Sequence, residues 1–117
     1  MKLYHYSHKS DLQEVNPVYF GENSYTLRDR QASGVQRSYF YTKPEPERLL
    51  KGAKNLYTVD VPAERIYSLV EDSAGLVPEA GSIDELLQKL EKSYDGVKYS
   101  LGYEVVCLFR AVPVEAA

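Results

Sequence analysis

Two adjoining stretches decide the fold class: Ser82-Ile83-Asp84-Glu85-Leu86-Leu87-Gln88-Lys89-Leu90, and behind it Val97-Lys98-Tyr99-Ser100-Leu101-Gly102-Tyr103-Glu104-Val105-Val106-Cys107. The first opens with a capping box. A serine at the N-cap accepts from the third helical N–H, and a glutamate three residues on reaches back to the serine N–H. Ile83, Leu86, Leu87 and Leu90 then fall at i, i+3, i+4 and i+7, one face of a helix, while Glu85 and Lys89 form an i,i+4 pair on the wet face. The second stretch changes period. Residues 97–100 and 103–112 read as strands, and Leu101-Gly102 between them marks a tight hairpin turn. A helix leading into a hairpin predicts an α+β domain whose last long strand is central.

Working outward, Ser38-Tyr39-Phe40-Tyr41-Thr42 reads as a strand halted by Lys43-Pro44-Glu45-Pro46, with a brief helix over 47–53 that turns Leu49 and Leu50 inward. Residues 55–61 alternate as a strand and Pro62 stops it. Residues 2–7 alternate too, putting Leu3 and His5 on the face opposite Tyr4 and Tyr6. Between 9 and 38 the chain is mostly loop, with a short strand near 12–15 and a weak helix around 25–32; a loop that long in a compact domain is usually functional. Residues 66–70 are a short apolar piece of open type, and 73–81 form a loop.

The 117 residues make one domain with one core. A net charge of −3 argues against bulk capture of nucleic acid, yet Arg28, Arg30 and Arg37 suffice to grip a pyrophosphate. The single Cys107 has no internal disulfide partner and lies in an apolar run, which fits a buried thiol in a reducing cytoplasm. With no apolar leader and no apolar stretch of about 18 residues, a soluble cytoplasmic protein without a membrane partner is expected. Eleven tyrosines stand against three phenylalanines and no tryptophan. Each offers a flat apolar face with a hydrogen-bonding tip, suited to nucleotides and sugars.

Three motifs, Tyr4-His5-Tyr6-Ser7, Ser38-Tyr39-Phe40-Tyr41-Thr42 and Tyr103-Glu104-Val105-Val106, follow one another in an order that resembles the His–Tyr–Glu series of the ADP-ribosyltransferases, the diphtheria toxin-like and poly(ADP-ribose) polymerase-like family. The likeness rests on about 20 residues and on their order and separation. It implies an ADP-ribosyltransferase-like fold, two small mixed or antiparallel sheets around a cleft with a few short helices. It also implies NAD as substrate and an unidentified protein, nucleic-acid or small-molecule acceptor. Under it Glu104, His5 and Tyr39 are the catalytic set: Glu104 stabilises the positive charge that builds on the ribose as the nicotinamide bond breaks, His5 holds a ribose hydroxyl, and Tyr39 stacks on nicotinamide. Groups around Tyr6 and Ser7 would grip the carboxamide, Tyr41 would extend the platform, and Arg28 or Arg37 would flank the phosphates. Gly102 stands two residues before Glu104, where arginine-specific transferases carry Glu or Gln, so the implied acceptor is not arginine. No metal site is expected.

Three function classes remain open on the sequence. The first is ADP-ribosyl transfer or NAD hydrolysis, in the manner of compact bacterial or phage members of the family. The second is a non-catalytic nucleotide- or protein-binding module on the same scaffold. The third is a small RNA-cleaving toxin using His, Tyr, Glu and Arg as acid–base groups, which the acidic balance disfavours.

Overall fold

The computed structural model describes residues 1–19, 35–44 and 55–117. Nine strands are described: β1 (Lys2–Ser7), β2 (Glu14–Val15), β3 (Ser38–Tyr41), β4 (Asn55–Asp60), β5 (Ile66–Ser68), β6 (Gly96–Ser100), β7 (Glu104–Leu108), β8 (Val112–Pro113) and β9 (Glu115–Ala116). The one α-helix among the described residues is α1 (Ile83–Ser93), joined by 3-10 turns at Pro17–Tyr19 and Ala63–Arg65. The helices expected around 25–32 and over 47–53 lie outside the described residues.

The α+β class is borne out, with a different division of strands. In place of two small sheets there is one mixed sheet of seven strands in the order β5-β6-β7-β3-β1-β4-β9, and a separate ribbon of β2 and β8. The large sheet nevertheless has a seam. β3 pairs with β7 through four residue pairs and β1 with β4 through six, but β1 meets β3 only at Tyr4↔Tyr41. The sequence could not expose this, because pairing between strands more than thirty residues apart leaves no local pattern.

α1 starts at the cap its sequence marks, but Glu85 reaches one residue further back than the capping box predicts, to Gly81 instead of Ser82, and Ile83 of the apolar stripe is left exposed. Ser82 is the N-cap, its hydroxyl accepts from the Glu85 N–H at 3.2 Å, and the Glu85 carboxylate accepts from the Gly81 N–H at 3.0 Å. Leu86, Leu87 and Leu90 are buried and pack on one face of the sheet with Tyr67, Val97, Val105 and Cys107. The other face carries a second core of Leu3, Phe40, Tyr57, Val106 and Leu108, covered by Val15 and Val114 at the ribbon. The order is therefore helix, sheet, ribbon, with apolar side chains filling both gaps.

Three expectations are corrected. Of residues 66–70, left open in type, Ile66–Ser68 form β5, which pairs in parallel with β6, so β5–α1–β6 is a crossover unit. The final strand ends at Leu108; the Phe109 N–H still bonds the Asp95 carbonyl at 2.8 Å in the β6–β7 register, and the chain then leaves the sheet and pairs with β2 as β8. The centre of the sheet is consequently β3, with β7 beside it. The hairpin is present but one residue longer than expected, since Ser100 pairs with Glu104 and residues 101–103 make the connection; Gly102 at φ +83° shows why glycine is there. No helix among the described residues is long and apolar enough to cross a membrane.

Candidate functional site

Register decides which of the expected site residues can meet. Paired residues in neighbouring strands point to the same face, and successive residues alternate. Tyr39 pairs with Cys107, Phe40 with Val106, and Lys98 with Val106. Val106 and Glu104 are two apart, so Glu104, Lys98, Phe40 and Val106 share the ribbon face. His5 joins them, since it pairs with Tyr57 and its ring lies 5.1 Å from the Phe40 ring. Tyr39 and Tyr41 occupy the helix face with Cys107 and Val105.

The structure thus brings His5 and Glu104 to one face and leaves the Tyr39 ring on the other. This corrects the expected convergence of all three. The cause is parity: Tyr39 is level with Cys107, which is an odd number of residues from Glu104. The aromatic ring on the shared face is Phe40, fully buried between the two. From strand geometry, His5 and Glu104 stand two strands apart, about 10 Å across and about 7 Å along the sheet.

His5 is half-buried, and its Nδ1 lies 2.8 Å from the Tyr39 carbonyl. A carbonyl only accepts, so Nδ1 carries the proton and, in the neutral ring, Nε2 is an acceptor. Burial holds the imidazole pKa below its ordinary value, partly opposed by the Tyr39 hydrogen bond, so the neutral form is the resting one. A neutral imidazole presenting an acceptor suits a hydroxyl donor such as a sugar hydroxyl.

Glu104 opens β7 opposite Ser100, with its side chain about half exposed and one carboxylate oxygen 3.7 Å from Lys98 Nζ. Lys98 is the residue that sequence reading passed over. Its place in a period-two strand, one turn before Glu104, was the available signal. The two line an open depression of about 170 Å³ together with Ser68, Val70, Glu71 and Ser100. A flexible ammonium beside Glu104 offsets part of the negative charge that Glu104 and Glu71 bring to the depression.

The remaining expected ligands fall elsewhere. Tyr6 and Tyr41 are buried on the helix face, with ring centroids 6.3 Å apart, and Tyr103 lies 6.0 Å from Tyr41. Burial, and the neighbouring phenols and Cys107, push the Tyr41 pKa up to about 12. Arg37 leans on Tyr39, donating from Nε to its hydroxyl at 3.2 Å with the guanidinium 5.9 Å from the ring centroid. The Ser7 hydroxyl accepts from the Lys9 N–H at 3.1 Å, a local turn contact. Arg28 lies outside the described residues. Tyr6, Tyr39, Tyr41 and Tyr103 form a packed aromatic layer on this face, and Cys107 is the buried thiol expected, 3.7 Å from the Tyr99 hydroxyl.

No protein-family model, curated protein or solved structure matches this chain.

Proposed function

We infer that the domain binds a dinucleotide, NAD, with His5 and Glu104 as two of its polar contacts, and that it cleaves the nicotinamide–ribose bond, passing ADP-ribose to an acceptor or to water. The observation that carries this reading is the juxtaposition on one face of a neutral histidine with a fixed tautomer and an exposed carboxylate. Their separation is one that a dinucleotide can bridge. In this reading the His5 Nε2 accepts from a ribose hydroxyl. Glu104 lies where positive charge develops on the other ribose, and its negative charge lowers the barrier there. Phe40 is fully buried, packs behind the His5 ring and offers the ligand no stacking face.

The test is incubation of the purified protein with NAD, following released nicotinamide and the mass of added acceptors. Release at a rate above the spontaneous one, lost in Glu104→Gln, supports the reading. Its absence overturns it.

A second reading, a nucleotide-binding module without turnover, is favoured by one specific contact. Lys98 beside Glu104 offsets the charge that the reaction needs. Saturable NAD binding with no nicotinamide release would select it.

A further inference from the structure

The crossover unit gathers one end of the domain into a surface unlike the rest. β5 and β6 run parallel, and only Tyr94 and Asp95 separate α1 from β6, so α1 runs back along the sheet. The C-terminal ends of β5 and β6, the 69–82 connection, the α1 N-terminus and the Leu101-Gly102 turn therefore lie together. Five large apolar residues are exposed among the described residues, and four of them are at this end: Val70 (74%), Leu101 (63%), Ile83 (59%) and Val77 (42%). Singly exposed apolar residues are ordinary; four at one end of a small domain mark an interaction surface.

The same end is acidic. Between residues 66 and 88 stand Glu71, Asp72, Glu79, Asp84 and Glu85 with no Lys, Arg or His, more negative charge than the chain's net −3. Local structure accounts for part of it: Asp72 accepts from the Leu76 and Val77 N–H groups and the Tyr67 hydroxyl, and Glu85 accepts from the Gly81 N–H ahead of α1. Glu71 and Glu79 sit in turns and are exposed. Apolar anchors within an acidic rim match the anatomy of a protein interface whose partner is cationic, and repel phosphate backbones.

We propose that this end of the domain docks a cationic amphipathic segment of a partner protein, in which Lys or Arg alternates with Leu or Ile. Val70, which lines the depression beside Glu104, and Leu101, in the turn that follows its Ser100, supply the apolar anchors; Glu71 and Glu79 supply the charge. The proposal does not rest on NAD chemistry and stands whether or not the domain turns NAD over.

The test is fluorescence anisotropy with a labelled dodecapeptide alternating lysine and leucine, beside an all-lysine peptide and a twelve-residue oligothymidylate. The wild-type protein should bind the Lys/Leu peptide about tenfold or more tightly than the all-lysine one, given the apolar area that two anchors bury. Val70→Ser/Leu101→Ser should remove that advantage. Glu71→Gln/Glu79→Gln should weaken both peptides by several fold and flatten the salt dependence. All four positions are exposed, so circular dichroism should show every variant folded. Equal binding of the two peptides, a Val70→Ser/Leu101→Ser variant that binds like wild type, or preference for the oligothymidylate would each overturn the proposal.

Discussion

The His5 ring and the Tyr39 ring lie on opposite faces of the sheet, yet His5 Nδ1–H donates to the main-chain carbonyl of Tyr39 over 2.8 Å. The histidine side chain acts here as a donor across the seam where β1 and β3 share a single ladder pair. This gives the ring two separable roles, one toward the sheet and one toward a ligand.

His5→Asn keeps a donor where Nδ1 stands and removes the Nε2 acceptor, whereas His5→Leu removes both. The leucine variant should lose about 1–2 kcal/mol of stability through the unsatisfied Tyr39 carbonyl, and the asparagine variant much less, by urea denaturation. NAD affinity should fall in both. Equal stability of the two variants would show that the contact to Tyr39 carries no weight.

The lowered pKa of His5 has a definite sign. Above pH 6.5 the ring is neutral in both folded and unfolded chains, and stability is full. As the pH falls below 6.5 the unfolded chain takes up the proton first, so stability declines until the folded-state pKa is passed. Urea midpoints at pH 7.5 and 5.5 should show a loss on acidification that His5→Asn reduces. Asp72 and Asp95, held low chiefly by hydrogen bonds from Tyr67 and Arg65, stabilise the fold above the ordinary carboxylate range and release that stability only in stronger acid, outside this window.

Glu104→Gln preserves shape and removes charge. In the transferase reading it should slow nicotinamide release by about 10²–10³-fold with KM little changed. Tyr39→Phe, altered on the opposite face, should leave NAD affinity within about twofold; a large loss there would mean that the ligand lies on the helix face.

Gly96 has no room for a side chain. A Cβ there would collide with the Cys107 carbonyl and approach Leu108 Cδ2 to 2.8 Å and Ile66 Cδ1 to 3.0 Å. Gly96→Ala should therefore cost about 1–3 kcal/mol or more by forcing strands apart. Ser82→Ala, which removes only an exposed cap, should cost about 1 kcal/mol. Thermal melts of the two, side by side, check the order.

What could be read in advance was local. The Ser82 cap, the leucine stripe of α1 and the Gly102 turn each depend on residues within a few positions of one another, and each stands in the structure. The alternation in residues 2–7 also placed His5 and Leu3 on one face, as found. β5 was illegible because three residues carry too little period to declare a strand, and its parallel partner lies thirty residues on. The position of Tyr39 was illegible for another reason: a shift of one residue in the β3–β7 register would exchange it with Phe40, and only tertiary pairing sets that register. Lys98 escaped notice because its meaning comes from Glu104, across a hairpin.

The single Tyr4↔Tyr41 pair between β1 and β3 also bears on how the chain assembles. From Ile66 to Leu108 the elements β5, α1, β6 and β7 meet partners near in sequence, so this block closes short loops and can order early. β1 must wait for β4, some fifty residues away, and then joins β3 through one ladder rung, the His5–Tyr39 hydrogen bond and the packing on either face. Amide exchange should divide along that rung, with the block from β5 to β7 protected as one cooperative unit and β1 with β4 opening as another.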